Sequence, residues 1–427
     1  MLILLTLTAT LAYVDRQMFN LFAQSIKQDL GLSDTALGML QGLAFSLFYG
    51  VMSFPIARMA DTYNRRSIIR LAVLFWSAMT VATAFSKSFI SMFLVRAGTA
   101  SGEAGLSPSA AAMIADMFPR SKIPLPISLY SFSIYFGSGV GFALGAIIQS
   151  AFGGSSLVNV PILGETTVWR VAFFAAGLFG LPWAVIALKW LKEPKRAEYS
   201  KSGAVVESSA EKASLSDVFT FLKKKGAFFI SFVVGFTLIL GAANAVFSWT
   251  PAILIRVFGK SVSDVGYIFG MLFVFCGIGG ALTSGLVANS KFIASKKGGI
   301  LWLAMVCALG LVLSQFMALV SDTSTTYLIF TGSSIFFIAP CISLPPAVLQ
   351  TIAPSNMRAQ MIALFLMVTG ALGLGTGPII VGIMTDYVFA DPMKLHTAVA
   401  ASTFALCGLG LPLVLFSRLR YWVKPAK

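Results

Sequence analysis

The sequence predicts an all-α polytopic membrane protein of twelve helical spans, arranged as two related six-helix bundles. Three observations carry this. Hydrophobic residues make up 57% of the chain and charged residues 11%, whereas a soluble globular chain carries about 25% charged residues. A span needs roughly 20 apolar residues. Twelve stretches meet that rule, at 1–24, 34–56, 68–86, 89–115, 123–150, 168–191, 227–255, 264–288, 299–320, 325–352, 359–388 and 395–417. The halves also repeat each other. Pro119-Arg-Ser-Lys122, Tyr130 and Gly137-x-Gly139-x-Gly141 recur as Pro354-x-x-x-Arg358, Phe365 and Gly373-x-Gly375-x-Gly377. This divides the chain into a first bundle at 1–191, a linker at 192–225 and a second bundle at 226–427.

The arginines and lysines set the expected orientation. With both termini cytoplasmic, only Lys27, Lys87, Arg170, Arg256, Lys260 and Lys394 fall on the far side, and Arg16 and Arg96 lie within spans. The remaining 23 of the 31 are cytoplasmic, the bias expected of a multi-pass protein of the cell membrane. The same bias accounts for the net charge of +15. No basic stripe with interleaved aromatics is present, so nucleic acid is not expected as a partner. The apolar start runs into Asp15-Arg16 without a basic leader, so no cleavable signal is expected. Cys276, Cys307, Cys341 and Cys407 lie in apolar stretches without CxxC spacing and read as small hydrophobes. His396 has no cluster of ligands near it, so no metal is expected, and no cofactor.

Phe89 to Pro119 is the organising stretch. It carries Arg96 and Glu103 inside a span, where a charge costs a few kcal/mol and is kept for a pathway or a partner. Seven residues is nearly two turns, so the two charges share one helix face. Gly98, Gly102 and Gly105, with Ser101, are positions where a neighbouring helix approaches closely. In the first span Asp15 and Arg16 are adjacent. They point about 100° apart and need separate partners. The charge on Asp15 depends on burial against a neighbouring Arg96, so a change of access would load or release a proton.

In the linker, Leu215, Val218, Phe219 and Leu222 follow Ser214 at helical spacing, reading as a short surface helix with a serine cap. The glycine runs of spans 5 and 11 mark close helix packing and are expected to permit rocking of the halves rather than to bind ligand. No Walker loop, nucleophile elbow or HExxH is present, so ATP-driven transport and intramembrane hydrolysis lack their parts. The chain is not expected to be an enzyme.

The loop Ala57-Arg-Met-Ala-Asp61-Thr-Tyr-Asn64-Arg65-Arg66 resembles the G-x-x-x-D-R-x-G-R-R signature of the major facilitator superfamily. Asp61, Arg65 and Arg66 match, while Ala57, Thr62 and Asn64 depart from the pattern. Asp61, Arg65 and Arg66 would form a cytoplasmic latch, a carboxylate accepting from a helix N-terminus and pairing with an arginine. The corresponding Gly285-Leu-Val-Ala-Asn289-Ser-Lys291 has no acid, so one strong latch is expected. A narrower resemblance covers about the first 120 residues. Tyr13-Val-Asp15-Arg16-Gln-Met-Phe, Leu40-Gln41-Gly42 through Tyr49-Gly50, Pro55-Ile-Ala-Arg58-x-Ala-Asp61, Arg96-x-x-x-x-Ser101-x-Glu103-Ala-x-x-x-Pro108 and Ile114-Ala-Asp116-x-Phe-Pro119 resemble the Spinster family of lipid transporters. That resemblance implies movement of sphingolipids or lysophospholipids, with Asp15, Arg96 and Glu103 as the intramembrane charges.

The residues agree with an amphipathic substrate. Candidate cavity-lining side chains are Tyr13, Gln41 and Tyr49 beside the charges of the first half, and Asn244, Trp249, Phe336, Phe337 and Phe365 in the second. The expected protein is a monomeric secondary transporter working by alternating access among membrane lipids. Asp15 and Glu103 respond to protons, and Arg96 attracts a head group or holds Asp15. The alternative is a proton-coupled exporter of drugs or other hydrophobic small molecules.

Overall fold

The computed structural model describes residues 1–119, 122–154, 157–194, 215–354 and 357–421. The side chains of Asp61, Leu215, Val218, Phe219 and Arg358 lie outside the described ones. So do Ser214 and most of the polar linker.

The chain begins with α1 (Leu2–Leu21), α2 (Ala23–Leu30), α3 (Asp34–Gln41), α4 (Leu43–Thr62), α5 (Arg65–Thr83), α6 (Phe89–Glu103), α7 (Leu106–Met117) and α8 (Pro124–Ala151). A hairpin of β1 (Leu157–Val160) and β2 (Gly164–Thr167) leads to α9 (Val168–Trp190). Beyond the linker come α10 (Leu215–Lys224), α11 (Gly226–Arg256), α12 (Val262–Leu272), α13 (Ile278–Ala288), α14 (Lys291–Ala294), α15 (Gly299–Leu319) and α16 (Ser324–Ile352). The last are α17 (Arg358–Val368), α18 (Leu374–Ile383) and α19 (Leu395–Leu419). Single π-helical turns join α12 to α13 and α17 to α18.

Among the described residues, ten helices are long and apolar enough to cross a membrane. The other two expected spans are charged or interrupted. The first, α1, carries Asp15 and Arg16. The span at 89–115, expected to be one helix, is broken into α6 and α7 at Ala104-Gly105. Pro108 has no N–H to donate to the Ala104 carbonyl, and the chain turns there. The hairpin was not anticipated from the sequence either. The Asp29 carboxylate of α2 ties down the hairpin's end and the start of α9, accepting from Thr167 Oγ1 at 3.3 Å, Trp169 Nε1 at 3.0 Å and Arg170 Nε at 3.1 Å.

The described residues fall into two compact units, one drawn from Met1–Ser209 with Gly259–Val274 and the other from Ala210–Phe258 with Phe275–Lys427. In the first, the glycines of α8 lie on α1. A Cβ built on Gly137 would sit 2.8 Å from the Thr10 carbonyl oxygen, and one on Gly141 2.8 Å from that of Val14. Gly98 and Gly102 of α6, and Gly105 at the break that follows it, face Met79, Trp76 and Ala72 of α5. The second unit repeats the device. A Cβ built on Gly373 would sit 2.8 Å from the Thr237 carbonyl oxygen of α11, and one on Gly377 would collide with the Gly241 carbonyl oxygen. Small residues let backbones approach where no hydrophobic force drives helices together. Hydrogen-bonded side chains add to this between α15 and α16, with Ser314 and Ser333 at 2.8 Å and Gln315 Nε2 donating to Ser334 Oγ at 2.8 Å.

Candidate functional site

In the first unit, α1, α5 and α6 bring the intramembrane charges together. Arg16 Nη2 lies 2.6 Å from Glu103 Oε2, and Arg16 Nε donates to the same oxygen at 2.7 Å. The Glu103 side chain is fully buried and that of Arg16 is 22% exposed. Aromatic rings surround the guanidinium, with Phe45 at 4.3 Å, Tyr13 at 4.9 Å and Tyr49 at 5.0 Å from its central carbon. Each such contact contributes about 0.5–2 kcal/mol according to how far it is desolvated.

Asp15 points elsewhere, as its position next to Arg16 requires. Its Oδ2 accepts from Thr80 Oγ1 of α5 at 2.9 Å, and its buried Oδ1 has no partner among the described residues. Glu103 Oε1 is likewise buried without a partner. Arg96 is buried, with Phe19 at 4.1 Å and Phe45 at 5.1 Å from its guanidinium carbon and only a long 3.5 Å contact to the Leu40 carbonyl. No carboxylate among the described residues is within ion-pair distance of it.

The structure therefore corrects one expectation. Asp15 does not ion-pair with Arg96. The shared face of Arg96 and Glu103 does turn toward α1, but it meets Phe19 and Arg16 there, while Asp15 faces Thr80. Arg16, which carried no role in the sequence, is the counter-ion of Glu103. The Phe45 ring lies between both arginines.

The remaining candidates fall into three settings. Tyr13 and Tyr49 border Arg16, and Gln41 is buried at the end of α3. Asp61 has its side chain outside the described ones. Arg65 is buried and donates from Nη1 to Asp116, with Nε bonded to the Ala60 carbonyl at 3.2 Å and 4.0 Å from Glu193. Glu193 accepts from the Arg66 backbone N–H at 2.9 Å, at the first turn of α5. Asp116 and Glu193 were missed as partners. The Ile-Ala-Asp116 motif was the only signal for either.

In the second unit, Asn244 donates to the Leu374 carbonyl and Trp249 Nε1 to that of Pro378 at 3.0 Å. Trp249 is wholly buried and Phe365 is 2% exposed, packed between Phe232 and Phe236. Both were expected to line a cavity, and in this structure each is enclosed by side chains of its own unit. Phe336 and Phe337 form an edge-to-face pair at 5.5 Å and are half-buried.

A many-spanning helical protein that holds a buried ion pair, a second carboxylate and an arginine without a carboxylate partner inside its spans is built as a membrane transporter. The Major Facilitator Superfamily model matches residues 5–378, and the chain belongs to that superfamily. It is 28% identical to an MFS-type efflux pump of Mycolicibacterium smegmatis, over 99% of this chain and 91% of that protein. It is 24% identical to the sphingosine-1-phosphate transporter SPNS2 of Mus musculus, over 90% of this chain and 69% of that one. A solved bacterial homolog of the human lysosomal transporter Spinster, inward-facing and unoccupied, superposes with a TM-score of 0.81 at 26% identity, covering 100% of this chain and 98% of that one.

Proposed function

We propose that the chain moves an amphipathic, lipid-like substrate of the sphingolipid or lysophospholipid type by alternating access, as a proton-coupled monomer in the cell membrane with both termini cytoplasmic. Two six-helix halves, 1–191 and 226–427, joined at 192–225, are its moving bodies. The observation that carries the reading is Arg96. A buried cation without a counter-ion is unfavourable, and an anionic or zwitterionic head group would offset that cost while the Phe19 and Phe45 rings receive apolar parts of the ligand. Glu103 does not serve this purpose because Arg16 already holds it.

Asp15 is the coupling acid on this reading. With one oxygen bonded to Thr80 and the other unpartnered, it neutralises without breaking an ion pair. Loss of its charge would change how α1 packs on α5 and so bias the side from which the site is reached. Asp61, Arg65 and Arg66 remain the proposed latch, with Asp116 and Glu193 as additional acids.

A second reading, export of drugs or other hydrophobic small molecules, is favoured by the likeness to the mycobacterial efflux pump over nearly the whole chain. Thermal stabilisation of the purified protein by an anionic lysolipid and by a cationic dye separates the two. The lipid reading predicts that the lysolipid raises the melting temperature of wild type but not of Arg96→Ala. Stabilisation by the dye alone, unchanged in Arg96→Ala, passes the substrate to the second reading.

A further inference from the structure

A second cationic feature stands at the ends of two spans of the second unit. Three lysines surround the short α14 and the turn into α15: Lys291, Lys296 and Lys297. Two arginines, Arg418 and Arg420, end α19. Neither segment contains an acid, and the sequence has none after Asp391. Although about 120 residues apart in sequence, the two segments touch. Gly298 turns the chain at φ +61°, and a Cβ built on it would lie 3.2 Å from Arg418 Cγ. None of the five cations is paired with a carboxylate among the described residues.

Apolar side chains accompany the charges. The Lys296 ammonium is held between two rings, 3.5 Å from the centroid of Phe292 and 4.8 Å from that of Trp302. The Arg420 guanidinium lies 5.2 Å from the ring of Phe416. Phe292 is 61% exposed and Leu419 68%. A loop that only obeys the positive-inside rule needs neither the convergence of two segments nor a lysine and an arginine docked on rings. Five unopposed cations gathered at span ends repel one another, and a multivalent anion would relieve that. Exposed aromatic and leucine side chains beside them match the acyl boundary just below a head group.

We propose that this patch binds the phosphate head group of an anionic phospholipid, in the cytoplasmic leaflet on the predicted orientation. The charged ends meet the phosphate, and Phe292, Phe416 and Leu419 lie along the upper acyl chains. The site is separate from Arg96 and does not depend on what the protein transports.

Native mass spectrometry of the full chain in detergent, titrated with phosphatidylglycerol and with phosphatidylcholine, tests it. A membrane-surface cation contributes a factor of about five in binding. Lys296→Gln/Lys297→Gln should therefore weaken phosphatidylglycerol binding at least tenfold, leaving phosphatidylcholine binding unchanged. Lys87→Gln and Lys394→Gln should leave both unchanged. Equal binding of the two lipids, an undiminished affinity in the double variant, or an equal loss in Lys87→Gln would overturn the proposal. Displacement of the lipid by the same concentration of glycerol phosphate would also overturn it, since the head group alone would then suffice.

Discussion

Arg16 of α1 and Glu103 of α6 share one ion pair at 2.6 Å, the carboxylate fully buried and the guanidinium ringed by Tyr13, Phe45 and Tyr49. The pair joins the first helix to the end of the helix that opens the fourth span. Removing one partner of a buried pair leaves an uncompensated charge, a loss of about 3–5 kcal/mol, whereas removing both costs far less. Arg16→Met and Glu103→Leu should each lower the melting temperature of the purified protein by more than the double variant does. Additive losses would show the pair to be uncoupled.

The glycine stripe of α6 yields a contrast between neighbours. A Cβ on Gly102 would lie 2.9 Å from both the Cβ and the backbone nitrogen of Trp76, which cannot yield without moving α5. At Gly98 the obstacle is the flexible side chain of Met79, with Sδ 2.7 Å away. Gly102→Ala should cost about 1–3 kcal/mol through overpacking, and Gly98→Ala clearly less. Thermal unfolding of the two variants side by side measures the difference.

Thr80 donates the only hydrogen bond to the Asp15 carboxylate among the described residues. Thr80→Val keeps the shape and removes the donor, so Oδ2 loses its partner and neither buried oxygen is bonded, at a cost of about 1–3 kcal/mol. Thr80→Ser should retain most of the wild-type melting temperature. If serine and valine destabilise equally, packing rather than the hydrogen bond explains the position.

Arg65 and Arg66 are adjacent, matched to the same motif, and differ in role. Arg65 reaches Asp116 and the Ala60 carbonyl with its side chain, whereas Glu193 takes the backbone N–H of Arg66. Arg65→Gln should destabilise by about 3 kcal/mol because buried Arg65 leaves Asp116 without its cation. Arg66→Gln keeps its backbone bond and should cost much less.

Sequence reasoning reached the helices further than it reached the contacts. Apolar length located ten spans to within a few residues, because membrane thickness sets that length directly. The small-residue faces at Gly137 and Gly141 and at Gly373 and Gly377 were also legible, since only glycine admits a backbone at those distances. Helical phase correctly turned Arg96 and Glu103 to one side and separated Asp15 from Arg16. It could not say which neighbouring helix each would meet. The pairing of Glu103 with Arg16, of Asp15 with Thr80, and the burial of Trp249 against the Pro378 carbonyl depend on helix order and rotation, which periodicity does not encode. The break after Glu103 was signalled by Gly105 and Pro108 but was outweighed by the apolar length of the stretch.

The proposed substrate and coupling roles are tested most directly by moving a labelled lysolipid or sphingoid phosphate into proteoliposomes. Wild type, Arg96→Ala and Asp15→Asn are compared with and without a pH gradient, each checked for a wild-type melting profile. The account predicts gradient-dependent lipid movement by wild type, loss of movement in Arg96→Ala and loss of the gradient response in Asp15→Asn. Absence of lipid movement together with pH-driven movement of a cationic dye, or variants that transport as wild type does, would contradict it.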